Sequence, residues 1–213
     1  MKFYTFNDVK EITVSDLIQL KDILSIQLGF KDISFDDIIK HTSMISLCKE
    51  RGEIIGLGVI KNNDNVKFKT NIFTLANRLD VLDIHTHELG YLYTSPFHRK
   101  KGICSKIINS LCMSFYEVNP HGKLYATTKA DNEQSISTLE KNLFQISKSK
   151  FGITNFVNIK SGNVLKLMLH KKKTFLFGEQ TVEETPSDTT SDKNEEVDND
   201  VIVVKKINEK ATV

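Results

Sequence analysis

One stretch of the sequence limits the possible folds more than any other, because a strand pattern changes there into a helix pattern across a short turn. Residues 87–94 are aromatic and largely apolar in their second half, which predicts a strand inside a sheet. Pro96 ends this strand, and Gly102 follows six residues later. From Ile103 onward, apolar side chains recur at the i, i+4, i+5 and i+8 positions of a one-sided helix. The change of period predicts a mixed α/β domain.

The N-terminal part of the chain predicts two helices and a hairpin. Leucines at helical spacing indicate a helix over residues 13–29, with Thr13 or Ser15 as its N-cap and Gly29 at its C-terminal end. A shorter helix is expected over residues 34–41. Two apolar segments then flank a turn and predict a β-hairpin, residues 44–49 and 54–60.

The C-terminal part predicts one more strand, one more helix and a closing hairpin. A strand is expected over residues 123–128, and Asn132 opens a helix whose apolar face extends to Leu143 and Phe144. In residues 66–80 the helix and strand signals are mixed, and we make no assignment there. Two apolar segments joined by a polar turn predict the hairpin, residues 151–159 and 164–170.

Charge divides the chain into a basic body and an acidic tail. Ten acidic and four basic residues follow Gly178, so this part carries a net charge of −6 and the first 178 residues carry +8. The composition predicts one domain over residues 1–177 and a disordered acidic tail over residues 178–213, which is a candidate binding segment for a partner. The β-prone residues 201–204 would either be unstructured or add a strand to a sheet edge.

The expected compartment is the cytoplasm, without a membrane anchor. No apolar run approaches the roughly 20 residues of a membrane helix, and polar residues interrupt the N-terminus before a signal segment could form. The three cysteines are an odd number without metal-ligand spacing, which indicates free thiols. His85 and His87 would share a strand face, but no third ligand is indicated, so we expect no metal.

The turn between the predicted strand and helix is suited to hold a phosphate. A helix N-terminus presents unpaired backbone amides and about half a positive charge, and Gly102 allows a ligand to approach the backbone closely. Arg99, Lys100 and Lys101 add cations beside it, while the P-loop and dinucleotide-binding signatures are absent from the sequence. The basic body would also suit a nucleic acid. Basic and aromatic residues are not interleaved as in single-strand binders, however, so we expect no such partner.

Two segments of the chain resemble the motifs of the GNAT N-acetyltransferases. Residues 89–108 are similar to the central motif, [Q/R]-x-x-G-x-[G/A] after a strand that ends near a proline, where Arg99 and Gly102 match and Cys104 replaces the usual small residue. Residues 130–144 are similar to the second motif, with matches at Asn132, Ser135, Ile136, Glu140, Lys141 and Phe144. The resemblance covers about residues 44–170 in element order. It implies an α/β (α+β) fold with a mixed, mostly antiparallel sheet flanked by helices.

The resemblance implies an acyl-coenzyme A ligand, acetyl-CoA, and assigns residues to it. In the family the pantetheine arm pairs with the motif strand, here along Leu92, Tyr93 and Thr94. The side chain of Asn132 would contact the arm near the thioester. The pyrophosphate would lie on the amides that begin the helix, with cations beside them, a set comprising Arg99, Lys100, Lys101, Gly102, Ile103, Cys104 and Ser105.

The resemblance also implies the reaction, transfer of an acetyl group to a primary amine of an acceptor. Glu88 lies at the offset from Arg99 of the base glutamate in histone-acetylating members, and strand alternation would place it on one face with Leu92. A half-buried carboxylate there is suited to act as the general base. The alternative is that Glu88 pairs with a lysine at a solvated strand start.

One departure from the family pattern bears on catalysis. Many members carry a tyrosine as general acid where this chain has Leu139, and no hydroxyl replaces it at that position. The alternative function is therefore a binding or interaction module that keeps the fold with weak or no turnover. The acceptor, a small molecule or a protein, cannot be read from the sequence, and a homodimer is compatible with it.

Overall fold

The computed structural model describes residues 1–27, 35–62, 72–83, 85–148, 155–157, 163–171, 174–175 and 201–202. Contacts divide the chain into two compact units, Met1–Lys171 and Lys172–Val213. In the second unit, Thr174–Phe175 pairs in parallel with Val201–Ile202, so the β-prone run is a strand in its described part. The remainder of the acidic tail predicted over residues 178–213 lies outside the described residues.

The first unit is built on one eight-stranded sheet. Its strands are β1 (Lys2–Phe6), β2 (Thr42–Glu50), β3 (Glu53–Asn62), β4 (His85–Thr94), β5 (Lys123–Lys129), β6 (Phe144–Ile146), β7 (Asn155–Val157) and β8 (Val164–His170). Their spatial order is β1-β2-β3-β4-β5-β8-β6, and β7 also pairs with β8. Every pair is antiparallel except β4 with β5, which is parallel. The predicted fold class, with a mixed and mostly antiparallel sheet, is confirmed.

Helices cover both faces of the sheet. They are α1 (Val14–Asp22), α2 (Phe35–Lys40), α3 (Ile103–Val118) and α4 (Glu133–Lys141). The buried face of α3 packs with Ile60 and Leu89 on one side of the sheet, and Leu20 of α1 packs with Leu57 on the other. Among the described residues, no helix is long and apolar enough to cross a membrane.

The predicted N-terminal helix begins at one of its two predicted N-caps and changes its winding after Asp22. Thr13, one of its two predicted N-caps, accepts a hydrogen bond from the Asp16 amide at 3.2 Å. After Asp22 the helix widens into a π-helix over Ile23–Gln27. Its predicted end at Gly29 lies outside the described residues.

The strands of the first unit include pairs that the sequence predicted and two strands, β1 and β6, that it missed. β2 and β3 form the predicted hairpin, and the described part of the last predicted hairpin is β7 paired with β8. β1 was not predicted, because a short and largely exposed edge strand carries little alternation of polar and apolar residues. In the unassigned region, residues 72–75 form a helical turn that places Phe73 against Tyr125 of β5.

α3 lies close to β3 because two glycines on that strand have no side chains. A Cβ atom built on Gly58 would lie 2.6 Å from Ile107 Cγ2, and one built on Gly56 would lie 2.6 Å from Ile103 Cγ2. Both separations are well inside the roughly 3.5–4.0 Å of ordinary carbon contact. Gly56 is also the register partner of Thr94, so the first turn of α3 is held beside the end of β4.

Two register shifts in β4 correct the predicted faces of its side chains. The pairing with β3 slips between Gly90 and Tyr93, and Tyr91 has a φ of 51°. Because this bulge adds a residue, Leu92 packs with the α3 cluster, whereas Glu88 contacts Lys61 on the opposite face. The prediction that Glu88 and Leu92 share one face is therefore wrong.

The second shift separates the two histidines. Pairing with β5 slips between His85 and His87. The His85 ring lies 6.1 Å from the ring of Phe73, and the His87 ring lies 5.0 Å from that of Phe115, in a different cluster. The predicted shared face of these histidines is not found. No group of three potential metal ligands occurs in the described part of the chain.

The helix predicted from Asn132 to Phe144 ends earlier. α4 stops at Lys141, Leu143 has a φ of 67°, and Phe144 begins β6. Phe144 is buried in the core, and an apolar side chain suits a buried position in a helix as well as in a strand, so its apolar character did not distinguish the two. The left-handed backbone at Leu143 is the conformation that ends many helices, where glycine is usual.

Candidate active site

A cleft opens where the two parallel strands of the sheet separate. Pairing between β4 and β5 stops at Leu89 and Ala126, although β4 continues along β3 and β5 continues along β8. The second half of β4 therefore has no strand partner on this side among the described residues. The cleft has a volume of about 330 Å³ and is lined by Leu92, Tyr93, Thr94, Arg99, Cys104, Asn132, Gln134, Ser135 and Thr138.

Residues from both predicted motifs meet in this cleft. The predicted cofactor-binding residues that line it are Leu92, Tyr93, Thr94, Arg99, Cys104 and Asn132. The Thr94 hydroxyl oxygen is buried and has no hydrogen-bond partner among the described residues. A buried hydroxyl is rarely left unpaired in a folded protein, so this atom fits a polar ligand in the cleft.

The predicted phosphate cradle lies at one end of the cleft. Gly102 has a φ of 74° and is the N-cap of α3, with no side-chain cap. The first helical hydrogen bond runs from the Lys106 amide to Gly102 O at 3.1 Å, so the amides of Ile103, Cys104 and Ser105 have no acceptor within the helix. A Cβ atom on Gly102 would meet nothing within 4 Å. The backbone amides are therefore open to a phosphate.

Side chains around the cradle divide into cations and packing residues. Arg99, Lys100 and Lys101 are exposed and form no ion pair with described residues, which leaves them available to an anion. The Ile103 side chain is buried in the core, so only its amide faces the site. Burial raises the pKa of the Cys104 thiol to about 11, which keeps it neutral and inert at pH 7.

Asn132 and Asn142 position α4 beside the cradle. Asn132 Oδ1 accepts a hydrogen bond from the Ser135 amide at 3.1 Å and caps α4, which leaves its Nδ2 as the group available to a ligand. Asn142 donates to Thr138 O at 2.7 Å and to Ser105 Oγ at 3.2 Å. The second bond joins α4 to the first turn of α3. Asn142 was missed in the sequence, because an amide at a helix end carries no signal of a distant partner.

Glu88, the predicted base, lies at the point where β4 and β5 separate. Its register partner is Tyr125, one position before the last pair of the two strands. The carboxylate is nearly inaccessible, with 3% exposure of the residue. Lys61 Nζ lies 2.9 Å from its Oε2, and Thr127 Oγ1 donates to its Oε1 at 2.9 Å. The expected pairing of Glu88 with a lysine is thus found, but the pair is buried and lies neither in a half-buried position nor at a solvated strand start.

The surroundings of this pair are aromatic on one side. The Lys61 ammonium lies 4.8 Å from the centre of the Tyr91 ring, within the range of a cation–π interaction. Burial, opposed by Lys61, raises the pKa of the Tyr91 hydroxyl. Tyr91 is therefore a neutral phenol at pH 7.

The residue at the position of the family's general acid, Leu139, is part of the hydrophobic core. Leu139 is 2% exposed and packs with Ile136 and Phe144. Of the two serines near it on α4, Ser135 lines the cleft, whereas Ser137 is exposed outside the lining. Thr138 supplies a further hydroxyl to the cleft.

Comparisons with known proteins identify the family. The sequence profile of the acetyltransferase (GNAT) family matches residues 9–143, and no curated protein sequence matches the chain. Among solved structures, Escherichia coli ElaA has a TM-score of 0.54 at 12% identity, covering 80% of this chain and 99% of its own. Arabidopsis thaliana NAA60 in complex with acetyl-CoA has a TM-score of 0.53 at 15% identity, covering 79% and 99%.

A third similar structure is the ribosomal-protein-S18-alanine N-acetyltransferase from Escherichia coli. Its TM-score is 0.52 at 12% identity, and the match covers 79% of this chain and 93% of that enzyme. At these identities the likeness concerns the fold alone, whereas the profile match spans more than half of the chain. The chain belongs to the GNAT family of acetyltransferases.

Proposed function

We propose that this chain transfers an acetyl group from acetyl-CoA to a primary amine, with the cleft between β4 and α4 as the cofactor site. The observation that carries the proposal is the cleft itself. It combines a length of β4 that no described strand pairs on the β5 side, free amides at the start of α3 and the buried Thr94 hydroxyl, which has no partner among the described residues. These are the groups that an extended arm ending in phosphates requires.

Different residues of the cleft would bind different parts of the ligand. The amides that follow Gly102, with Arg99, Lys100 and Lys101, would hold the phosphates. The backbone of Leu92–Thr94 would pair with the amide groups of the arm, as an added strand does. The arm would then run toward the point where β4 and β5 meet, so that the thioester ends near Glu88.

Proton transfer would depend on the buried ion pair. Glu88 would take a proton from the acceptor ammonium, directly or through a water, once that amine has replaced Lys61 at the carboxylate. The departing coenzyme A thiolate is a fair leaving group, so the apolar side chain of Leu139 does not prevent turnover. The acetyl group itself supplies the electrophilic carbonyl when acetyl-CoA is bound.

Calorimetry of the full chain with acetyl-CoA, followed by thiol-release assays, tests this proposal. The acceptor panel should contain small amines, lysine peptides and a peptide with an N-terminal alanine. Glu88→Gln is expected to lower kcat/KM by about 10²- to 10⁴-fold without weakening acetyl-CoA binding. Glu53→Gln, at an exposed residue at the start of β3, is the matched control. Normal turnover by Glu88→Gln would exclude Glu88 as the base.

A second candidate function is an acyl-CoA-binding module without turnover. Two observations favour it, namely the buried Leu139 at the general-acid position and the occupied carboxylate of Glu88. This candidate predicts calorimetric binding of acetyl-CoA and no thiol release with any acceptor. The acidic tail would then be the segment to test for a protein partner.

A further inference from the structure

Lys61 holds a primary amine against the carboxylate of this same site. Its Nζ lies 2.9 Å from Glu88 Oε2, and the two residues are cross-strand partners on β3 and β4. A general base must lie within hydrogen-bond reach of the proton that it removes. The Lys61 ammonium meets this requirement without any external acceptor.

The amine also lies beside β4, next to the point where β4 and β5 separate. A Cβ atom on Gly90 would lie 3.1 Å from Lys61 Nζ, so the ammonium rests directly on the backbone of β4. Gly90 is the first residue beyond the last pair of β4 with β5. The thioester of an arm that runs along β4 would end there, within reach of the flexible lysine side chain.

We propose that Lys61 is a self-acetylation site, at which the chain transfers the acetyl group of acetyl-CoA to its own amine. The inference rests on the proposed function, because it requires both the bound thioester and Glu88. Glu88 takes one proton from the Lys61 ammonium, and Nζ bonds to the carbonyl carbon as the carbon–sulfur bond breaks. A second proton passes from the nitrogen to the thiolate. The products are Nε-acetyl-lysine, coenzyme A thiol and a proton that Glu88 releases to solvent.

Acetylation changes the site, because an amide carries no charge. The modified Lys61 no longer forms the ion pair at Glu88 Oε2, while the Thr127 hydroxyl still donates to Oε1. An external amine then meets a carboxylate that no longer pairs with the Lys61 ammonium. Turnover on external acceptors is therefore expected to show a lag that matches the self-acetylation of Lys61.

The neighbouring strand supplies a matched control lysine. Lys49 Nζ lies 2.6 Å from Asp16 Oδ1, and its side chain is 24% exposed against 17% for Lys61. It is thus another partly buried lysine in a carboxylate ion pair. It lies on β2, which β3 separates from β4.

The experiment incubates the full chain with isotope-labelled acetyl-CoA and no acceptor, and follows each lysine by peptide mass spectrometry. We expect Lys61 to be acetylated at least about 100-fold faster than Lys49, at a rate independent of protein concentration. Glu88→Gln should slow the labelling of Lys61 by about 100-fold or more, the usual contribution of a general base. Lys61→Arg should remove the fast phase.

Three outcomes would overturn the inference. Binding of acetyl-CoA by calorimetry, with Lys61 labelled no faster than Lys49, would refute self-acetylation and leave the proposed function intact. Labelling that is unaffected by Glu88→Gln would show non-enzymatic modification. Absence of acetyl-CoA binding would refute the proposed function together with this inference.

Discussion

Acidification should weaken the fold through one buried histidine at the end of the sheet opposite the cleft. His170 Nδ1 and the Tyr116 hydroxyl are 2.8 Å apart, and the His170 ring lies 4.7 Å from that of Phe144. Burial, aided by the nearby His85, lowers the pKa of His170 from 6.5 to about 4. Between these values the unfolded chain binds a proton that the folded chain does not, so stability falls as the pH falls.

The magnitude follows from the two pKa values. Lowering the pH from 7 to 4.5 should cost about 2.5 kcal/mol of the free energy of unfolding through this residue alone. Urea denaturation at pH 7, 5.5 and 4.5 measures the loss. Other groups also titrate in this range, so the comparison must be made against a variant that lacks the imidazole.

His170→Asn is the variant to compare, because its amide oxygen can still accept the Tyr116 hydroxyl near the position of Nδ1 and does not titrate. It will be less stable at pH 7, since it loses the ring contact with Phe144. Its further loss on acidification should be smaller than that of the unmodified chain by about 2.5 kcal/mol. Parallel losses in the two proteins would refute the assignment of acid sensitivity to His170.

Three further predictions concern the frame of the cleft. Gly58→Ala places a Cβ atom 2.6 Å from Ile107 Cγ2, so the free energy of unfolding measured by urea denaturation should fall by about 1–3 kcal/mol. An unchanged urea midpoint would mean that α3 shifts without strain. Thr94→Val removes the buried, unpaired hydroxyl, so Tm should be equal or higher while calorimetric acetyl-CoA affinity falls about fivefold or more. Unchanged affinity would remove Thr94 from the site. Asn142→Ala removes the hydrogen bonds to Thr138 and Ser105, so the free energy of unfolding should fall by about 1–3 kcal/mol and acetyl-CoA should bind more weakly. Normal binding would show that the Asn142 side chain stabilises the fold alone.

The cradle could be predicted because its cause is local. The free amides are determined by three features within a few residues of one another, namely a strand, a positive φ at Gly102 and the start of a helix. No distant contact is needed. The resemblance to a known motif then named a ligand for that geometry. The helices and the longer strands were predicted for the same reason, since periodicity is a property of each segment, whereas the short strands β1 and β6 were missed.

The arrangement around Glu88 could not be predicted, because it depends on register. A bulge at Tyr91 reverses the face of every later side chain in β4, and strand alternation contains no sign of it. The ion pair with Lys61 likewise follows from the alignment of β3 with β4. Charge alone does not predict which of the many lysines pairs with Glu88.

The separation of β4 and β5 leaves an interior edge within a sheet, and a ligand that pairs with it would serve as a missing strand. The fold and the ligand would then stabilise one another, by about 2.7 kcal/mol when acetyl-CoA is present at 100 times its Kd. Supply of acetyl-CoA would thus act on the lifetime of the folded chain as well as on its catalysis. A cell poor in acetyl-CoA would hold a less durable protein, with a strand edge open to unwanted pairing.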